Sequence, residues 1–154
     1  MLISIIIIGL ISFPLFIAFL ITKIKNTALD VKKYSCWGLA MAFLFFFTLH
    51  LVNAQIIIDE LPHWIQYRNA IVYLACIVEL AIALSLFFDK LQVLAAQCAI
   101  AIFMLIFPIN IYFAFDSIGF GGHQWGPIYL FIRGPMQLIL IAWAYYLCIK
   151  IRKD

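Results

Sequence analysis

Hydrophobic positions in this chain come in five long runs separated by short polar connections. They cover about residues 2–21, 36–58, 67–88, 91–115 and 127–149. Each run holds roughly 20 or more residues, enough to cross a hydrocarbon core of about 30 Å as a helix. A backbone surrounded by lipid must satisfy its own hydrogen bonds, so the runs predict helices rather than open strands. The expected fold is therefore all-α, a five-span transmembrane bundle forming a single domain over residues 1–154. The first run has no basic residues ahead of it and is too long for the apolar core of a signal peptide, so it is read as a span that stays. The two-residue link Asp89-Lys90 makes the third and fourth spans antiparallel neighbours.

Composition agrees with the pattern. The 154 residues are 68% hydrophobic and 11% charged, against about 25% charged in a typical soluble domain. The net charge of +3 gives no reason to expect nucleic acid, because the basic residues cluster at the ends of the runs. Lys23, Lys25, Lys32, Lys33, Lys90, Lys150, Arg152 and Lys153 fall on one set of alternate connections and Arg68 alone on the other, which is eight against one. The positive-inside rule then places the N-terminus outside and the C-terminus in the cytoplasm, as expected for a bacterial inner-membrane protein. The four cysteines, Cys36, Cys76, Cys98 and Cys148, form no C-x-x-C pair and read as small apolar residues.

The candidate chemistry lies in the few polar residues inside the runs. Glu79 sits near the middle of the third, where a carboxylate costs roughly 2.5–3.5 kcal/mol on insertion scales unless it finds a partner or stays protonated. Counted from the outer helix ends at about 1.5 Å per residue, Asn110, Asn53, Arg133, His50, Gln137 and Glu79 fall between about 7 and 18 Å deep. All lie in the outer half or near the midplane. His50 and Asn53 are three apart and Arg133 and Gln137 four apart, so each pair shares a helix face. The expectation is an outward-opening polar pocket in which Glu79 pairs with Arg133. Pro108 and the Gly134-Pro135 step predict breaks in the fourth and fifth spans at similar depth. The alternative is structural: Glu79 and Arg133 as an ion pair only, His50 bonding a neighbouring helix, and Asn110 capping freed backbone. Asp59, His50, His63 and His123 have no metal-ligand spacing, so no metal is expected.

The order of motifs carries a resemblance. His50 with Asn53, Leu61-Pro62-His63-Trp64, Val72-Tyr73-Leu74 with Glu79, Phe107-Pro108-Ile109-Asn110-Ile111-Tyr112, and Arg133-Gly134-Pro135-Met136-Gln137 with Trp143 resemble the DoxX-like family of small membrane proteins. That family implies a four-helix core, here residues 36–149, with residues 1–22 as an additional span in front. It also implies a link to quinone-dependent or oxidative-stress redox complexes. The resulting expectation is a small-molecule- or quinone-binding membrane subunit with a partner redox subunit. Glu79 and His50 would handle protons, and Arg133, Gln137, Asn110, Asn53 and Tyr73 would line the ligand. The competing expectation is a non-catalytic assembly partner or a small-solute carrier, in contact with lipid through its apolar faces.

Overall fold

The computed structural model describes residues 2–61, 64–116 and 128–151, and among them there is no strand. Helix α1 spans Leu2–Lys25, α2 Val31–Val52, α3 Ala54–Glu60, α4 Arg68–Phe87, α5 Gln92–Asp116 and α6 Ile128–Trp143. A π-helical stretch, Ala144–Lys150, continues α6. Five helices are long and apolar enough to cross a membrane: Ile3–Lys25, Val31–Val52, Arg68–Phe87, Gln92–Tyr112 and Leu130–Lys150. The protein is a multi-pass helical membrane protein, as the runs predict.

The second span is extended by α3 across a one-residue interruption at Asn53. The backbone ladder carries on through it, with Asn53 N–H donating to Leu49 O at 3.1 Å and Ile57 N–H to Asn53 O at 3.1 Å. Asp30 starts α2, its carboxylate accepting from Lys33 N–H at 3.0 Å, and so satisfies an otherwise orphaned donor of the first turn. Neither of the expected breaks interrupts its helix, and α5 runs through Pro108. Helix α6 runs through Gly134 and Pro135, and the departure from α geometry comes later, at Ala144. Proline removes one ladder donor, and here that loss leaves the helix assignment intact.

Helix α2 is the centre of the bundle, packed against α1 on one side and α4 on another, with α5 and the last span closing the remainder. Helix α4 also packs on α5 through the short link, where buried Gln92 donates from Nε2 to Leu86 O at 3.3 Å and holds the end of α4. The interfaces are rich in small residues, Ala40, Ala42, Ala83, Ala96, Ala99 and Ala144, all fully buried. Lipid is as apolar as leucine, so helices in a membrane gain from close backbone approach, which small residues permit. Gly38 is the extreme case: a Cβ there would lie 2.0 Å from Ile11 O of α1. Helix α1 meets α2 along the narrow stripe Ile7, Ile11, Pro14 and Ala18 and exposes much of the rest, including Ile5, Phe13, Phe16 and Ile24. Between α2 and α5 lies an aromatic cluster, with Phe43 and Phe103 centroids 5.2 Å apart and Phe46 and Phe103 6.3 Å apart.

Candidate functional site

Among the described residues, two pairs of polar side chains meet between helices. The first joins α2 to α4. His50 lies two residues before the end of α2, and Glu79 lies eleven residues into α4, roughly 16 Å along it. Nδ1 of His50 stands 2.8 Å from each carboxylate oxygen of Glu79. The Glu79 side chain is 3% exposed and the His50 side chain 30% exposed. The acid is therefore sealed inside the bundle, and the imidazole is the part of the pair that reaches the surface. Cys76, one turn before Glu79 and itself buried, lies close enough to feel the carboxylate's charge. The i, i+3 spacing of Cys76 and Glu79 was the only sequence signal for this neighbour.

The second pair joins α5 to α6. Asn110 Nδ2 donates to Gln137 Oε1 at 3.4 Å, and both residues are buried. Gln137 Nε2 in turn donates to the backbone carbonyl of Phe103. Phe103 directly precedes Met104, whose carbonyl has no ladder donor because Pro108 lacks an N–H. The carbonyl that Gln137 reaches is thus the neighbour of the one that Pro108 leaves without its ladder donor. Phe103 belongs to the aromatic cluster with Phe46, which lies one turn before His50. The cluster therefore flanks both pairs.

Other expected site residues fall differently. Glu79 has His50 as a partner, one of the residues expected in the same pocket. Helix α4 packs chiefly on α2 and α5, while α6 packs on α5, which favours the α2 partner. Arg133 is half-buried one turn before Gln137 on α6. Asn53 uses its amide N–H within its own helix. Its Nδ2 turns back to Leu49 O at 2.8 Å, so the side chain serves the end of α2. Tyr73 is 49% exposed, while Val72, Cys76 and Glu79 of the same helix are buried, so it sits on the outer surface away from the pair. His63 and His123 lie outside the described residues. Among the described residues no group of His, Cys, Asp or Glu could hold a metal ion.

An open groove of about 550 Å³ does lie at this end of the bundle, lined by Gln55, Ile58, Asp59, Tyr67, Arg68, Asn69 and Ala70 of α3 and α4. It contains neither His50 nor Glu79. Arg68 closes one side by donating to Leu61 O at 3.2 Å, and Gln55 Nε2 donates to Asp59 at 3.2 Å. Four of the polar residues that sequence reasoning would gather into one pocket thus lie in two interhelical pairs, and none of them lines this surface groove.

Residues 39–148 match the model of a family described as a domain of unknown function, DUF8561, and the chain belongs to that family. The matched region begins inside α2 and ends in the π-helical stretch, so it takes in the last four spans and leaves α1 outside. No curated protein and no solved structure matches the chain.

Proposed function

We propose that this DUF8561 member is a multi-pass protein of the bacterial inner membrane that binds a small carbonyl-bearing redox molecule, with a quinone as the leading case, as the membrane subunit of a redox complex. The DoxX-like motif order supports the redox assignment. The lysine and arginine bias of eight to one supports an N-terminus outside and a C-terminus in the cytoplasm. One observation carries the site: buried Glu79 shares both oxygens with Nδ1 of His50, at 2.8 Å, while the imidazole stays partly exposed. Such a pair is a proton store with a single outlet. An ionisable pair inside a span is a functional-site candidate by default.

Reduction of a quinone to a quinol consumes two electrons and two protons. The electrons come from the partner redox subunit. Nε2 of His50 would give a proton to a carbonyl oxygen, Glu79 would reprotonate the ring at Nδ1, and the exposed imidazole edge would take up a proton from water and return one through Nδ1 to the carboxylate; two such cycles supply both protons. Asn110 and Gln137, whose amides are engaged with each other and with Phe103 O, hold α5 against α6, and Arg133, one turn before Gln137, would orient the second carbonyl oxygen.

The test is titration of purified protein with a short-chain quinone, read by quenching of tryptophan fluorescence, for the native chain, Glu79→Gln and His50→Gln. The reading expects saturable binding that both substitutions weaken at least tenfold while the proteins remain folded. Unchanged binding, with only a lower melting temperature, would make the pair structural.

The surface groove supports a second reading, because it contains neither member of the pair. Here His50 and Glu79 simply fasten α2 to α4 in a non-catalytic protein that holds another membrane protein. Reproducible co-purification of one partner from mild detergent, with no quinone bound, favours this reading. A small-solute carrier has less support, since repeated broken-helix halves of the kind transporters use do not occur among the described spans.

A further inference from the structure

At the lysine-rich end of the bundle, the turn between α1 and α2 forms a second open groove, of about 620 Å³. It is lined by Phe19, Thr22, Lys23, Asn26, Thr27, Ala28 and Leu29. Its shape is set by the way α1 ends. Asn26 adopts the left-handed conformation with φ of 50°. The next residue, Thr27, donates its N–H to Thr22 O at 3.2 Å. This is a Schellman-type stop with asparagine in the position glycine usually takes. It turns the chain sharply away from α1 and leaves a cleft between the last helical turn and the segment leading into α2.

The two sides of that cleft differ in chemistry. Phe19, Ala28 and Leu29 supply an apolar wall, and Lys23, Asn26 and Thr27 supply a cation, an amide and a hydroxyl. The apolar wall continues along the outer face of α1, where Phe16 is 60% exposed and Ile24 84% exposed. Lys25, Lys32 and Lys33 follow within the same connection, against a single acid, Asp30, which accepts from Lys33 N–H at the start of α2. Ile24 stands between Lys23 and Lys25, so apolar and cationic side chains alternate at the level where a span leaves the hydrocarbon. Water satisfies the lysines but not Ile24, and acyl chains satisfy Ile24 but not the lysines. A phospholipid with a negative headgroup satisfies both.

We infer that the cleft at the α1–α2 turn is a binding site for an anionic phospholipid, its phosphate on Lys23, Asn26 and Thr27 and its acyl chains along the outer face of α1. Charge complementarity selects the occupant. Basic residues beside a span attract anionic headgroups at about 1 kcal/mol each, close to fivefold in affinity per residue. The site is remote from His50 and Glu79 and does not depend on their role.

The experiment is native mass spectrometry of the full chain released from detergent, titrated with phosphatidylglycerol or with phosphatidylcholine of the same acyl length. The expected result is tighter phosphatidylglycerol binding by at least tenfold. Lys23→Gln should weaken it about fivefold, and Lys23→Gln with Lys25→Gln further, at an unchanged melting temperature in lipid-free detergent. Lys90→Gln with Lys150→Gln, at the same end but on other helices, should leave it within twofold. Equal retention of the two lipids overturns the inference. So does an equal loss in the Lys90 and Lys150 variant, which would show general surface charge. Displacement of the lipid by millimolar inorganic phosphate would show an ion site with no lipid specificity, and would overturn it as well.

Discussion

Nδ1 of His50 lies 2.8 Å from both carboxylate oxygens of Glu79, across the interface between the central helix of the bundle and its most closely packed neighbour. Each residue removes the reason the other is costly. The carboxylate gains a donor it could not find in lipid, and the imidazole gains a fixed orientation. Removing one partner of a buried pair leaves a polar group unpaired, which costs more than removing both. His50→Ala is expected to lower stability by about 3 kcal/mol, and Glu79→Gln by about 1 kcal/mol, since an amide keeps one hydrogen bond. The double variant should lose less than the two added together. A coupling energy of about 1 kcal/mol or more in an unfolding cycle in detergent checks this, and strict additivity would contradict it.

Gly38 predicts a sharp positional contrast. A methyl group there meets Ile11 O at 2.0 Å, whereas a methyl group at Gly9 meets nothing within 4 Å. Gly38→Ala must push α1 off α2, at a cost of about 1–3 kcal/mol for overpacking. Gly9→Ala should be neutral or slightly stabilising, because alanine is the better helix former. Melting temperatures of the two variants in the same detergent decide it, and equal effects would mean that α1 does not approach α2 closely.

Gln137 works on two partners, accepting from Asn110 and donating to the carbonyl of Phe103. Gln137→Leu strands both, with an expected loss of about 1–3 kcal/mol per orphaned buried group. Asn110→Leu strands only one and should cost less. Unfolding of the two variants should show that order, and the reverse order would place the weight of the interface on Asn110.

The charge bias makes a prediction about sidedness. Single cysteines at Asp89 and at Gln66, in a chain with its own four cysteines replaced, should respond oppositely to a membrane-impermeant thiol reagent on intact cells. Gln66→Cys should label and Asp89→Cys should label only after lysis. The opposite pattern would invert the proposed orientation.

The number and length of the spans were legible in the residues themselves, because a bilayer imposes a length on any apolar helix and a penalty on any charge within it. The isolation of Glu79 could be read in the same way. The antiparallel α4–α5 neighbours followed from a link too short for any other arrangement. What a single chain cannot encode locally is which neighbour each helix turns toward. Glu79 takes His50 because α4 lies along α2, and that depends on packing between residues far apart in sequence. The role of Asn53 has a smaller, local cause: at the one-residue interruption its amide returns to Leu49 O. Hydrophobicity sets how deep a side chain lies, whereas only the packed bundle sets its rotation about the helix axis, and rotation decides which polar groups meet.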